Sequence, residues 1–284
     1  MVSATFSWLK GHGTENDFVL LPDHDGTTHG PLAPDLVRAL SDRRRGIGGD
    51  GVLRVIRTEA LRAFDGRIPD IDAEWFMDYR NADGSLSEMC GNGVRVFALH
   101  LVESGLADPA EPLFVGTRGG TRTVTFGDDQ ISVDMGVAEL QGHTKVCVGD
   151  RGWEAYRVSL GNPHAVTFVD ELADAGPLLE APVYDPEDFP GGVNVEFVRR
   201  LLPGHIAMRV YERGSGETRS CGTGACAAAV ATAADQGVPR PVRLRVDVPG
   251  GRLHVRWHED GRVDLAGPAA IVARGETSAD LLRQ

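Results

Sequence analysis

The sequence has few of the features that mark membrane, secreted or pyridoxal-phosphate proteins. Its 284 residues include only four cysteines and two lysines, Lys10 and Lys145. Neither lysine has a phosphate-binding glycine turn beside it, so we expect a chemistry without a cofactor. No apolar run is long enough to cross a bilayer, and the first residues lack the apolar core of a signal peptide. We therefore predict a cytoplasmic protein whose cysteines are thiols rather than a disulfide framework.

The charge balance limits the possible partners. The chain carries 41 acidic residues against 29 Lys and Arg, a net charge of −12. Such a charge repels nucleic acid and anionic membranes, whereas a small zwitterionic or cationic ligand remains compatible. The length suits two domains of ordinary size. We expect no nucleic-acid, membrane or metal site.

One tetrapeptide occurs twice. Cys90-Gly91-Asn92-Gly93 and Cys221-Gly222-Thr223-Gly224 each precede an apolar run with the character of a helix. The offset between the two cysteines (221 − 90 = 131) also relates Asn81 to Glu212 (212 − 81 = 131). The repeat therefore covers a polar turn, a cysteine and the start of a helix.

Two further polar turns recur in the same order. Asn194 corresponds to Gly51 (194 − 51 = 143), and Asn162 to Asn16 (162 − 16 = 146). This order predicts two homologous α/β halves. Because both helices are apolar nearly all round, they should be buried, each wrapped by its own mostly antiparallel sheet. We place the first half at residues 1–120 with 269–284, the second at 121–268, and the active site in the cleft between them.

The segment Gly46–Gly51 satisfies the pattern G-x-G-x-x-G of dinucleotide-binding turns. Such a turn must open a helix, because the helix N-terminus holds the pyrophosphate. Here the β-branched run Val52–Ile56 predicts a strand instead. We therefore reject a nucleotide site.

Two cysteines at helix N-termini suggest acid–base chemistry. The unpaired N–H groups of a helix start favour a thiolate and can also hold a carboxylate. Two thiols on opposite faces of one α-carbon would invert it, one removing a proton while the other donates one. We expect Cys90 and Cys221 to be this pair, and Cys147 and Cys226 to be small buried side chains.

The motifs around these cysteines resemble those of diaminopimelate epimerases, and the resemblance extends over nearly the whole chain. The segments that carry it are Gly13–Phe18, Asn81–Ser85, Met89–Arg95, Gly161–His164, Gly192–Val195, Glu212–Thr218 and Cys221–Ala225. It implies an isomerase that converts LL-2,6-diaminopimelate to the meso isomer in lysine and peptidoglycan synthesis. It also implies a cofactor-independent homodimer.

The resemblance further implies residue roles. Cys90 would donate the proton to the LL substrate and Cys221 would remove it, while His164 and Glu212 would tune the thiols and hold the reacting amino group. Matching side chains for substrate binding are Asn16, Asn81, Asn162, Asn194 and Arg213. Backbone N–H groups that would hold the reacting carboxylate are those of Gly91, Asn92, Gly222 and Thr223.

One position departs from the family pattern, and two other functions stay open. Many relatives carry glutamine at the position of Gly51, so one substrate contact is absent here. A proline or hydroxyproline racemase would use the same two thiols, but we would expect histidine in place of Asn92. A thiol redox protein or a non-catalytic amino-acid-binding protein would not need both cysteines. The segment 58–72 has no assigned role.

Overall fold

A computed structural model describes residues 5–66, 68–127 and 130–278. The strands, in chain order, are β1 Thr5–Gly13, β2 Asn16–Pro22, β3 Gly51–Arg57, β4 Trp75–Asn81, β5 Leu113–Thr117, β6 Gly120–Phe126, β7 Ile131–Val137, β8 Glu139–Val148, β9 Arg151–Ser159, β10 Pro163–Phe168, β11 Val183–Tyr184, β12 Asn194–Leu202, β13 His205–Glu212, β14 Gly216–Thr218, β15 Val242–Val248, β16 Gly251–Trp257, β17 Arg262–Gly267 and β18 Ala270–Ser278. The helices are α1 Pro34–Ser41, α2 Thr58–Arg62, α3 Gly91–Glu103 and α4 Gly222–Asp235.

The described residues form two compact units. The first contains the chain up to Val133 together with the residues from Pro268 onward, and the second runs from Asp134 to Gly267. The first junction lies later than residue 120, where the sequence placed it. The difference arises because β6 forms an antiparallel hairpin with β5, which keeps it in the first unit.

In the first unit, one helix packs against a succession of hydrogen-bonded strands. β1 pairs antiparallel with β2 and β18, β2 runs parallel to β3, and β3 pairs antiparallel with β4. β4 then runs parallel to β5 across the helical connection α3. α3 packs against β1, β2, β3, β5 and β18, so it is the central helix of this unit.

The second unit repeats this order. β9 pairs antiparallel with β8 and β10, β10 runs parallel to β12, and β12 pairs antiparallel with β13. β13 runs parallel to β15 across α4, which packs against β9, β10, β12, β13, β15, β16 and β17. The predicted fold, two halves each with a sheet around a central helix, is confirmed.

The composition of the two central helices explains their burial. In α4 every residue from Gly224 to Ala233 is buried, and most of them are alanines whose small side chains let strands approach from several sides. In α3 the residues from Gly91 to Ala98 are buried. Such a helix cannot expose one face to water, so the sheet must surround it.

Other sequence expectations have mixed outcomes. The segment Gly46–Gly51 leads into β3, which confirms that it does not open a helix. All four cysteines, which lie among the described residues, are thiols. Cys226 is buried as expected, but Cys147 is partly exposed, because it lies on β8, whose side chains are largely open to solvent. Within the described residues no helix is long and apolar enough to span a membrane.

Candidate active site

Cys90 is the N-cap of α3. Its backbone is extended (φ −144°, ψ 118°), and its Sγ accepts a hydrogen bond from the N–H of Gly93 at 3.4 Å. A sulfur therefore fills the place that an N-cap oxygen usually takes, at the positive end of the helix dipole.

A chain of amides fixes the surroundings of Cys90. Asn16 donates its Nδ2–H to Asp50 at 2.8 Å, which turns its Oδ1 toward Cys90 Sγ at 3.5 Å and Asn92 Nδ2 at 3.1 Å. Asn92 in turn accepts a hydrogen bond from Arg95 Nη2 at 2.8 Å. Both Asn92 and Arg95 are fully buried. Three predicted site residues are thus joined, together with two that the sequence did not single out.

Asn81 ends β4 opposite Gly51 and donates its Nδ2–H to Ser85 Oγ at 3.0 Å. The structure gives a physical reason for the glycine. A Cβ at position 51 would lie 2.5 Å from the carbonyl oxygen of Arg80 and 2.7 Å from Cε2 of Tyr79. Backbone and an aromatic ring occupy the space that a glutamine side chain would need.

Cys221 is the N-cap of α4 and occupies the same place in the second unit. Its Sγ accepts a hydrogen bond from the N–H of Gly224 at 3.3 Å and lies 3.6 Å from Thr223 Oγ1. The neighbouring Glu212 accepts a hydrogen bond from the Thr218 hydroxyl. Only 6% of Cys221 is exposed.

The electrostatics of Cys221 differ from the sequence expectation. Burial raises the pKa of this thiol well above its usual value, and the carboxylates of Glu212 and Glu196 raise it further. The Gly224 N–H lowers the pKa, as expected at a helix start, but burial and the two carboxylates outweigh it. Burial also raises the pKa of Glu212. The prediction that the helix start would favour the thiolate is therefore wrong for Cys221, because its pKa is raised and not lowered.

Hydrogen bonds connect Cys221 to the interior through Thr223. Asn162 donates its Nδ2–H to Thr223 Oγ1 at 3.2 Å, and its Oδ1 lies 3.1 Å from His164 Nε2. The other imidazole nitrogen, Nδ1, lies 2.7 Å from Glu196 Oε1. His164 and Glu196 are both fully buried.

The remaining predicted residues of the second unit are Asn194, Arg213 and Gly222. Asn194 is directly opposite His164 in the parallel pairing of β10 and β12, and its Oδ1 accepts the backbone N–H of Arg213 at 2.9 Å. The Arg213 side chain is exposed and donates to the carbonyl of Gly191 at 2.8 Å. Gly222 is buried in the first turn of α4. Among the described residues no group of His, Cys, Asp and Glu side chains is arranged to hold a metal ion.

Comparison with known proteins decides the family. The sequence profile of diaminopimelate epimerase matches residues 8–141 and 156–272, which is most of the chain. The chain belongs to the diaminopimelate epimerase family. A diaminopimelate epimerase from Streptomyces coelicolor is 52% identical over 283 residues, covering 97% of this chain and 96% of the relative. One from Corynebacterium aurimucosum is 50% identical, covering 95% of this chain and 99% of the relative.

Solved structures show how widely this epimerase fold is used. A Bacillus anthracis phenazine biosynthesis protein of the PhzF family has a TM-score of 0.70, with coverage of 96% of this chain and 99% of that one. A hydroxyproline epimerase from Agrobacterium vitis has a TM-score of 0.68, with coverage of 97% and 93%. Both are 17% identical, so they establish the fold alone. The profile and the relatives at about half identity favour diaminopimelate epimerase over the racemase alternative.

The sequence analysis did not single out three residues that contact the candidate site residues: Asp50, Arg95 and Glu196. One signal was available for Glu196, because it is a lone charged residue in the apolar run Val195–Val198, and a charge in a buried strand needs a specific partner. Arg95 gave a weaker signal of the same kind within the apolar α3. Asp50 carried none.

Proposed function

We propose that this protein is a cytoplasmic, homodimeric diaminopimelate epimerase that inverts the α-carbon of LL-2,6-diaminopimelate with Cys90 and Cys221. One thiol acts on each face of that carbon, and no cofactor takes part. The observation that carries the proposal is the repeated N-cap cysteine: each unit starts its central helix with a sulfur that accepts a helix N–H. Membership of the diaminopimelate epimerase family supports the substrate.

In this scheme the substrate supplies charges that the site can match. Its reacting carboxylate binds the backbone N–H groups at the starts of α3 and α4, where the helix dipole favours negative charge. As the α-proton leaves, negative charge grows on that carboxylate and the same donors stabilise it. The forked donors of Arg213 suit a second carboxylate. Asn16, Asn81, Asn162 and Asn194 supply hydrogen bonds that select the remaining groups.

The substrate ammonium has a further role in the proposal. Glu212 and Glu196 together raise the pKa of Cys221. An ammonium group beside Glu212 and His164 would offset that negative charge and so favour the Cys221 thiolate. Binding of the substrate ammonium thereby favours the Cys221 thiolate, which removes the α-proton. Cys90 delivers a proton to the other face of the α-carbon.

Solvent deuterium tests the proposal. Protein incubated with LL-diaminopimelate in D₂O should place deuterium on one α-carbon and yield the meso isomer. Cys90→Ala and Cys221→Ala should each abolish epimerisation, because inversion needs both faces. Cys147→Ala is the matched control and should keep the activity, since Cys147 lies on β8, where it pairs with Gly152 of β9 and Val183 of β11. Exchange of proline but not of diaminopimelate would reject the proposal in favour of a racemase.

Size-exclusion chromatography with light scattering tests the homodimer separately. A mass of twice 30.4 kDa is expected. A monomer that epimerises at full rate would remove the dimer from the proposal and leave the two-thiol chemistry intact.

A further inference from the structure

A buried carboxylate that the two-thiol chemistry does not use lies behind Cys221. Glu196 is fully buried on β12, and its Oε1 lies 2.7 Å from His164 Nδ1. Its other oxygen, Oε2, is buried and has no hydrogen-bond partner among the described residues. Burial raises the pKa of Glu196, and the neighbouring imidazole acts against that rise. A half-satisfied buried carboxylate is costly, so stability alone gives no reason for it.

The internal repeat shows that the fold itself does not require this carboxylate. The offset that relates Asn194 to Gly51 also relates Glu196 to Leu53 (196 − 53 = 143), and the offset that relates Asn162 to Asn16 also relates His164 to Phe18 (164 − 18 = 146). The sheet pairing agrees, because Phe18 lies opposite Gly51 as His164 lies opposite Asn194. Leu53 and Phe18 are fully buried, apolar residues.

The same comparison holds at the helix start. A Cβ at Gly224 would lie 2.7 Å from Glu196 Oε1, and a Cβ at Gly93 would lie 3.3 Å from Leu53 Cδ2. Each of these glycines donates its N–H to the thiol of its unit. The carboxylate therefore lies against the helix turn that binds the Cys221 sulfur, where the first unit has a methyl group.

From Glu196 the hydrogen-bonded contacts continue without a break to the thiol. They pass from Glu196 Oε1 to His164, from His164 to Asn162, from Asn162 to Thr223 and from Thr223 to Cys221 Sγ, at 2.7, 3.1, 3.2 and 3.6 Å. We propose that Glu196 is a positioning residue for proton transfer at Cys221: it accepts a hydrogen bond from Nδ1–H of His164, which holds the ring so that Nε2–H donates to Asn162 Oδ1. It exchanges no proton with the substrate and acts only through His164.

The corresponding contacts of Cys90 end differently. There Asn16 Oδ1 accepts hydrogen bonds from the Cys90 thiol and from Asn92 Nδ2. Asn92 Oδ1 in turn accepts one from the buried guanidinium of Arg95. The contacts of Cys221 thus end on a fully buried carboxylate, whereas those of Cys90 end on the buried guanidinium of Arg95 and, through Asn16, on the exposed carboxylate of Asp50. The two thiols are chemically distinct although their helix starts match, which is why the inference applies to Cys221 alone. It rests on the proposed function only in that Cys221 exchanges a proton with the substrate.

The first experiment measures the orientation of His164 without any substrate. Nitrogen-15 NMR of the labelled imidazole, assigned by its loss in His164→Gln, should show a proton on Nδ1 in the unaltered protein. Glu196→Leu, which installs the residue of the first unit, should remove that signature. Val198→Ala is the matched control, because Val198 is buried on the same face of β12, two residues further on. A proton on Nδ1 in Glu196→Leu, as in the unaltered protein, would overturn the proposal.

The second experiment measures kinetics with diaminopimelate. Glu196→Leu should lower kcat at least tenfold, and by no more than the roughly 10²- to 10⁴-fold that a positioned proton-transfer group contributes. KM should change less than kcat. Glu196→Gln keeps an acceptor oxygen, so its kcat should lie between those of Glu196→Leu and the unaltered protein.

Coupling between the two residues distinguishes positioning from a general structural role. In a His164→Gln background, Glu196→Leu should cause no further loss of kcat, because the group through which it acts is gone. Full additivity, or an unchanged kcat in a folded Glu196→Leu protein, would overturn the proposal. If the unaltered protein failed to epimerise diaminopimelate, the proposed function would fall, whereas the NMR measurement would still decide the orientation of His164.

Discussion

The two helix-start glycines offer a matched pair of substitutions at equivalent positions. Gly224 and Gly93 are related by the same offset as the two cysteines (224 − 93 = 131), each donates its N–H to a cysteine, and neither has a positive φ. Alanine is therefore allowed by the backbone at both positions. Replacing glycine with alanine in a helix should by itself stabilise each unit by about 0.5–1 kcal/mol.

The two variants differ in the atoms that the added methyl group would contact. The Cβ of Gly93→Ala would lie 3.3 Å from a Leu53 methyl group, just inside the 3.4 Å at which ordinary van der Waals contact begins, so a slight adjustment suffices. The Cβ of Gly224→Ala would lie 2.7 Å from Glu196 Oε1, below the 3.0 Å under which a neighbouring atom must move. A carboxylate displaced in this way gives up its hydrogen bond with His164, which is worth about 1.5–3 kcal/mol for a charged pair.

The helix gain is common to both variants and cancels in the comparison. We therefore expect Gly224→Ala to be less stable than Gly93→Ala by about 1.5–3 kcal/mol. Urea unfolding of both proteins measures this difference, and steady-state epimerisation measures whether kcat falls further for Gly224→Ala. Equal stability of the two variants would show that Glu196 moves away at no cost, which would refute the close contact as the reason for glycine at position 224.

Three other predictions concern the second thiol and acid stability. Thr223→Val removes the hydroxyl between Asn162 and Cys221 but keeps the side-chain volume, so kcat should fall while the melting temperature changes little. Because burial and carboxylates raise the pKa of Cys221, its alkylation by iodoacetamide, followed by mass spectrometry, should need a pH above the usual thiol range, and Glu212→Gln should lower that pH. Although burial acts to raise the pKa of Asp17, its hydrogen bond with Arg43 helps to lower it from 3.8 to about 2. The stabilisation from Asp17 should thus be complete above pH 3.8 and be lost as the pH falls through about 2, and Asp17→Asn should flatten this part of an unfolding-versus-pH curve.

Local patterns were sufficient to identify the fold and the two cysteines. A cysteine before a glycine and an apolar run predicts a helix start, because only the N-cap and the first turn are involved, and both α3 and α4 begin as expected. The β-branched run Val52–Ile56 likewise predicted a strand from its own residues, and it lies in β3. The constant offset between the two copies of the cysteine motif then predicted the duplicated fold without any knowledge of contacts.

The first junction between units depended on pairing and not on a local pattern. β6 is a strand by its own residues, but only its hairpin with β5 assigns it to the first unit. The segment 58–72, which had no assigned role, contains the short helix α2, and its buried Leu61 packs into a cluster with Phe76 of β4. So short a helix has little propensity of its own, and tertiary packing therefore decides whether it forms.

The sequence determined where the thiols lie, and only the tertiary structure decided what surrounds them. Four residues are connected by hydrogen-bonded contacts that lead to Cys221. They are Glu196 of β12, His164 of β10, Asn162 of the turn before β10 and Thr223 of α4. Their contacts exist because parallel pairing sets His164 opposite Asn194 and brings Glu196 within reach of its ring. The pKa of Cys221 follows from that burial and charge and not from its helix start, since desolvation and neighbouring carboxylates outweigh one backbone N–H.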